Sequence, residues 1–232
     1  MEKILIITGS SKGIGRYLAE HYLDDNYIVI GCDIQDTDLS HERYDHHNLD
    51  ISDEAEVIKM VKKASAKYKQ IGYLINNAGI ASMNHLLLTP YKTLEKVFKV
   101  NTFGTFLLCR EVSKIMMKQK FGRIVNFTTV AVPLNLEGEA IYSASKIAIE
   151  QITRSIAVEL SANGITCNAV GPAPIKTDLI KNVSDEKLER LLQRQAIHQF
   201  GELEDVANII DFYFSEKSGM ITGQTLYLGG VF

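Results

Sequence analysis

The chain's opening stretch constrains its fold most. Ile4 to Ile7 form a β-branched, apolar run that breaks at Thr8-Gly9-Ser10-Ser11-Lys12-Gly13-Ile14-Gly15, after which Ile14, Leu18 and Tyr22 recur at helical spacing. This predicts a strand, a glycine-rich turn and a helix. A helix starting straight after such a turn presents free backbone N–H groups and the positive end of its dipole, which suits a pyrophosphate. The glycines let the ligand approach the backbone closely. Their spacing, G-x-x-x-G-x-G, differs from the G-x-G-x-x-G dinucleotide fingerprint.

The same alternation continues along the chain. Tyr27 to Gly31 predict a second buried strand ending at Cys32-Asp33, where a carboxylate can accept from ribose hydroxyls and repel a 2′-phosphate. Lys12 in the turn favours the phosphate instead, but Asp33 is given more weight, so NAD is expected over NADP. Residues 34–48 are polar, without an apolar period, and predict a loop; its His41, His46 and His47 lack a framing ligand set, and no metal is expected. Leu49 to Ser52 lead into a third strand end, with Ser52 or Asp53 as cap of a helix whose inner face is Val57, Met60, Val61 and Ala64.

Further strands are predicted at Tyr73 to Asn76, Arg123 to Phe127, Ile165 to Val170 and Thr225 to Leu228. Between them lie one helix marked by Leu94, Val97 and Phe98, with Asn101 at its far end, and a longer one marked by Phe106, Leu107, Val112, Ile115 and Met116. A helix over Tyr142 to Leu160 carries apolar residues on more than one face and hints at a subunit contact. A polar helical segment, Ser184 to Gln195, is placed where a substrate lid would hang, and Val206 to Phe214 predict a final helix. The expected architecture is α/β: a Rossmann-type, doubly wound parallel sheet of seven strands with helices on both faces, in one domain over residues 1–232.

Chemistry concentrates near the middle of the chain. Tyr142 and Lys146 stand four apart, so on a helix their side chains share a face. An ammonium beside a phenol is expected to favour phenolate and draw its pKa below about 10. Tyr142 then serves as general acid to a carbonyl oxygen or base to an alcohol. Thr129 offers a second hydroxyl from the C-terminal end of the fifth strand, where open parallel sheets bind ligands.

Composition bounds the partners. A net charge of −3 carries no basic field for nucleic acid. Cys32, Cys109 and Cys167 are far apart, so neither a disulfide framework nor a zinc site is suggested. With neither a signal-peptide pattern nor a membrane-spanning run, the expectation is a cytoplasmic protein.

Thr8 to Gly15, Asn76-Asn77-Ala78-Gly79, Asn101, Tyr142 with Lys146, and Ile221-Thr222-Gly223-Gln224, in this order, closely resemble the short-chain dehydrogenase/reductase family over essentially the whole chain. The resemblance implies hydride exchange between NAD or NADP and the carbon of an alcohol or carbonyl substrate, in a homotetramer or homodimer. Carried onto this sequence, Tyr142 is the proton donor or acceptor, Lys146 lowers its pKa and holds the nicotinamide ribose, and Asn101 matches a water-relay asparagine. Gly9, Ser11, Lys12, Gly13, Ile14 and Gly15 form the phosphate turn, and Asp33 matches the NAD-selecting acid. Asp50 and Ile51 flank adenine, Asn77, Ala78 and Gly79 line the cleft, and Pro172, Ile175 and Thr177 surround the nicotinamide amide.

Three departures stand out. Thr129 replaces the usual serine, Pro172-Ala173 replaces Pro-Gly, and residues 33–50 are too short and polar for the helix most relatives carry there, reminiscent of dehydrogenases for dihydroxylated cyclohexadiene acids. Two alternatives remain open: a 3-oxoacyl carrier-protein reductase using NADPH, and a dinucleotide-binding regulatory protein that has lost the chemistry.

Overall fold

The computed structural model describes residues 2–181 and 183–231. Its strands are β1 (Ile4–Thr8), β2 (Ile28–Asp33), β3 (Tyr44–Asn48), β4 (Tyr73–Asn76), β5 (Gly122–Phe127), β6 (Ile165–Gly171) and β7 (Thr225–Tyr227). All pair in parallel, in the order β3-β2-β1-β4-β5-β6-β7. The connections run outward on each side of β1 and β4, so the chain reverses direction between them, and in such sheets a crevice opens at the C-terminal ends of the strands.

The helices are α1 (Gly13–Asp24), α2 (Glu54–Tyr68), α3 (Tyr91–Phe98), α4 (Thr105–Gln119), the short turn α5 (Ala131–Leu134), α6 (Ala140–Leu160), α7 (Asp185–Leu192) and α8 (Leu203–Phe214). Every residue of β1 is buried because both faces of the sheet are covered. Ile4 and Ile6 pack with residues of α2 and α4 on one side, while Leu5 and Ile7 pack with α1 and α8 on the other. Asp53 caps α2 by accepting from the Glu56 N–H at 3.0 Å, as the sequence suggests.

Two segments depart from expectation. Residues 44–48, read as loop, form β3. It is an edge strand with one neighbour, so its polar side chains need not fill a core. The three histidines are held locally: His41 Nδ1 accepts from the Arg43 N–H, His46 contacts the Tyr44 hydroxyl and the Gln35 carbonyl, and His47 faces Asp45. Among the described residues no group of three or more His, Cys, Asp or Glu side chains could hold a metal ion.

The second departure lies between α3 and α4. Rather than two separate helices, the chain runs on through one π-helical segment, Lys99–Gly104, that carries Asn101. Such widened turns redirect side chains and frequently occur at functional sites. Among the described residues no helix is long and apolar enough to cross a membrane.

Candidate active site

The register aligns Thr8 with both Cys32 and Asn76, Asn76 with Asn126, and Phe127 with Val170, so these strands end together at one edge of the sheet. Asn side chains tie that edge. Asn76 Nδ2 donates to Asn126 Oδ1 at 2.8 Å, and Asn77 Nδ2 donates to the Thr8 and Gly9 carbonyls at 3.1 and 3.2 Å. The Ala78 N–H adds a bond to Thr8 Oγ1 at 3.0 Å.

The glycine turn is built against this edge. Gly9 adopts φ +69°, and a Cβ on Gly15 would stand 2.0 Å from the Gly9 carbonyl oxygen. No larger residue fits there. Ser11 donates its N–H to Asp33 Oδ2 at 3.0 Å, and Gln35 donates to Asp33 Oδ1 at 3.0 Å. Asp33 thus stands beside the turn at the end of β2, with each oxygen retaining a further lone pair. Lys12 reaches away, its Nζ 3.9 Å from Asp178 Oδ2, with the side chain exposed. A residue the sequence reading missed supports the turn: the Tyr44 hydroxyl lies 3.1 Å from Ser10 Oγ. Its strand partner Val29 could have flagged it, had 44–48 been read as an edge.

One cavity brings together Thr129, Tyr142 and Lys146, with Asn77, Gly79, Pro172 and Ile175 among its walls. Thr129 follows β5, and its Oγ1 accepts from the Ala131 N–H at 3.2 Å. Thr128 does not share its role: its hydroxyl donates to the buried Glu150 at 2.7 Å, and Tyr227 donates to the same carboxylate. Asn101 stands behind the cavity, its Oδ1 accepting from the Ile80 N–H at 2.8 Å and its Nδ2 donating to the Ile80 carbonyl and to Ser145 Oγ, both at 3.0 Å. Ser145 in turn donates to the Tyr142 carbonyl at 2.7 Å. Asn101 therefore locks the loop after β4 to α6, and Ser145, inside the Tyr-Ser-Ala-Ser-Lys run itself, was overlooked as the anchor.

The other predicted contacts are spread around this crevice. Thr177 faces Gly13 across the turn, 3.8 Å from where a Cβ on that glycine would lie. Asp50 Oδ1 accepts from the Ser52 N–H at 2.8 Å, and Ile51 is buried in the core. Ile14 packs partly buried against α8's side of the sheet. Ala173 is not among the residues with positive φ, so alanine is accommodated where relatives carry glycine.

The electrostatics correct one expectation. Tyr142 is not acidified; its pKa is pushed up to about 12, first by burial, then by the neighbouring Glu139 carboxylate, against a smaller lowering by the Thr129 hydroxyl. Lys146 is itself buried, which lowers its pKa to about 8, and its ammonium donates to the Phe127 carbonyl at 2.9 Å, with the nitrogen 5.9 Å from the Tyr142 ring centre. Burial and the Glu139 charge, not this cation, set the direction of the phenol's shift.

The residues fit a dinucleotide. The N-terminus of α1 has no side-chain cap, so its first N–H groups are free for an anion. Lys146 has three donors and the protein takes one of them, leaving two directed into a buried cleft.

Comparison with known proteins agrees with the geometry. A family model described as enoyl-(acyl carrier protein) reductase matches residues 9–230. The chain belongs to the short-chain dehydrogenase/reductase family. It is 34% identical over 235 residues to the 3-oxoacyl-(acyl-carrier-protein) reductase of Buchnera aphidicola subsp. Schizaphis graminum, covering 99% of this chain and 96% of that one. It is 30% identical to the enzyme of the same name from Escherichia coli, covering 98% and 96%. The structure of aldohexose dehydrogenase from Thermoplasma acidophilum superposes with a TM-score of 0.90 at 29% identity, covering 99% and 93%. Levodione reductase superposes with a TM-score of 0.91 at 25% identity, covering 98% and 96%. As a member of this family, the chain is an oxidoreductase acting on CH–OH or C=O groups with a nicotinamide cofactor.

Proposed function

We propose that this short-chain dehydrogenase/reductase interconverts a secondary alcohol and a ketone of a small molecule, with NAD(H) favoured and Tyr142 as general acid and base. The observation carrying this reading is the convergence of Tyr142, Thr129 and Lys146 on one cavity at the C-terminal edge of the sheet. A bound nicotinamide dinucleotide would supply the hydride or accept it. A phenol whose pKa lies near 12 keeps its proton at neutral pH, so Tyr142 is poised to donate to the oxygen of a carbonyl being reduced. Thr129 supplies the second hydroxyl to that oxygen. Lys146, mostly protonated at pH 7, holds the ribose with its two free N–H groups and makes the departing proton's loss from Tyr142 less costly. Asn101 keeps α6 and the loop after β4 in register, and the family resemblance gives it a part in a water relay. The glycine turn and Ile14 would receive the pyrophosphate at the start of α1, while both donors of Ser11 are spent on Asp33 and the Gln35 carbonyl and shape the turn beside it. Asp50, the backbone at Ile51, Asn77, Ala78, Gly79, Pro172, Ile175 and Thr177 complete the cofactor cleft.

Asp33 supports NAD. It is fixed by the Ser11 and Gln35 N–H groups at the end of β2, while Lys12 leans towards Asp178. The test is cofactor titration with turnover of cyclic alcohols, ketones and 3-oxoacyl thioesters. NADH should bind more tightly than NADPH, and Asp33→Ala should narrow that preference by about tenfold; unchanged selectivity would show that Asp33 does not reach the ribose. The names of the curated relatives favour a second reading, a 3-oxoacyl carrier-protein reductase. NADPH preference with thioester reduction would establish it instead.

The hydroxyl of Thr129 is separable from its methyl. Thr129→Ser should retain activity, whereas Thr129→Val should lower kcat by about 10²-fold, the loss typical of one oxyanion donor. If the valine variant keeps full kcat, the residue has no part in the chemistry, since Thr128 is already committed to Glu150. The proposal also includes a homodimer or homotetramer: Ile147 and Val158 on α6 and Phe103 and Phe106 beside and on α4 leave large apolar surfaces exposed.

A further inference from the structure

One group in the cavity is not used by this chemistry. Glu139 lines it together with Tyr142, Thr129 and Lys146, while the remaining wall towards the lid is apolar, including Leu136, Ile175, Leu188 and Leu191. Glu139 is the N-cap residue of α6, three residues before Tyr142, and both line the same cavity. It is close enough for its charge to raise the Tyr142 pKa. Its own pKa is raised to about 7 by desolvation, and the influences on it include no hydrogen bond from any described residue. The charged and polar groups around it are Tyr142 and Lys146 on α6, Thr129 after β5, and Lys187 on α7, whose attraction opposes the desolvation.

A half-buried carboxyl without a partner is costly unless a donor reaches it. In a pocket with a largely apolar wall and few polar groups, such a group fixes the orientation of what binds. Tyr142 marks where the reacting oxygen sits, and Glu139 faces the same cavity near enough for its charge to act on the phenol. A donor close to the reacting carbon is what such a neighbouring acceptor would meet.

Resting on the function proposed above, we infer that Glu139 is a specificity-determining residue: it accepts a hydrogen bond from a hydroxyl or amino group next to the reacting carbon. The substrates are then α-hydroxyketones and vicinal diols or their amino analogues. Plain ketones leave Glu139 unpaired, and oxo acids bring a like charge against it.

The experiment compares kcat/KM for 2-hydroxycyclohexanone, 2-methylcyclohexanone and 3-oxocyclohexanecarboxylate in the wild-type protein, Glu139→Gln and Glu139→Ala, with NADH titration confirming that each variant is folded. The wild type should prefer the hydroxyketone over the methyl ketone by at least about tenfold, a modest share of the discrimination that sites built around a substrate hydroxyl achieve. Glu139→Ala should bring the ratio close to one, and Glu139→Gln should raise activity on the oxo acid. A wild-type ratio near one, or a preference unchanged in Glu139→Ala, overturns the inference while leaving the proposed reaction standing. NADH binding without turnover of any of the three ketones overturns the reaction and the inference together.

Discussion

Replacing Tyr142 by Phe will lower kcat by about 10³-fold, within the range that a positioned general acid contributes, while the Kd for NADH stays within about twofold. The ring keeps its place: Tyr142 is buried, and its neighbours Ser145 and Lys146 are fixed by bonds to backbone carbonyls that the substitution leaves intact. What disappears is the proton, needed in the transition state far more than in the ground state. Stopped turnover with unchanged cofactor binding is the expected pair of results. Equal weakening of both would mean that the phenol is a binding group, and the assigned role would be lost.

The second large effect falls on the scaffold. Gly15→Ala will destabilise the protein by about 3 kcal/mol, the upper end for an overpacked site, and lower Tm by roughly 6–12 °C for a domain of this size. The added Cβ would meet the Gly9 carbonyl oxygen at 2.0 Å and Asn77 Nδ2 at 2.5 Å. One obstacle is backbone and the other is already bonded to Thr8 and Gly9, so neither can swing aside cheaply. Because relief requires moving the turn, dinucleotide affinity should fall along with Tm. Calorimetry showing an unchanged Tm would demonstrate that the turn opens freely and that Gly15 is not needed for the close approach of α1 to β1.

Much of this arrangement was legible from local patterns. The strand, glycine turn and helix at residues 4–24 follow from an apolar run, a cluster of glycines and a helical period, each of which acts over a few residues. Tyr142 and Lys146 share a face because four residues nearly complete a turn, whatever the helix packs against. Strand β3 was not legible in the same way. Tyr44 to Asn48 lack an apolar period, and they are extended only because β2 offers a row of unpaired backbone groups at the sheet's edge. The π-helical turn at Asn101 is equally non-local, since the side chain's three bonds run to Ile80 and Ser145, far away in sequence.

The residue types thus carry the fold class and the candidate reacting groups, because strand and helix periods and the chemistry of phenol, hydroxyl and ammonium are properties of short segments. Tertiary packing alone decided the protonation of those groups and the partners of their neighbours. From spacing, Lys146 acidifies Tyr142; in the folded chain both are taken out of water, and desolvation, together with Glu139, raises the phenol's pKa instead. Thr128 and Thr129 are alike as a sequence pair and both line the cavity, yet folding commits the first hydroxyl's proton to Glu150 and leaves the second's without an acceptor among the described residues. Burial and charge depend on what surrounds a group in three dimensions, and neighbours along the chain do not specify those surroundings.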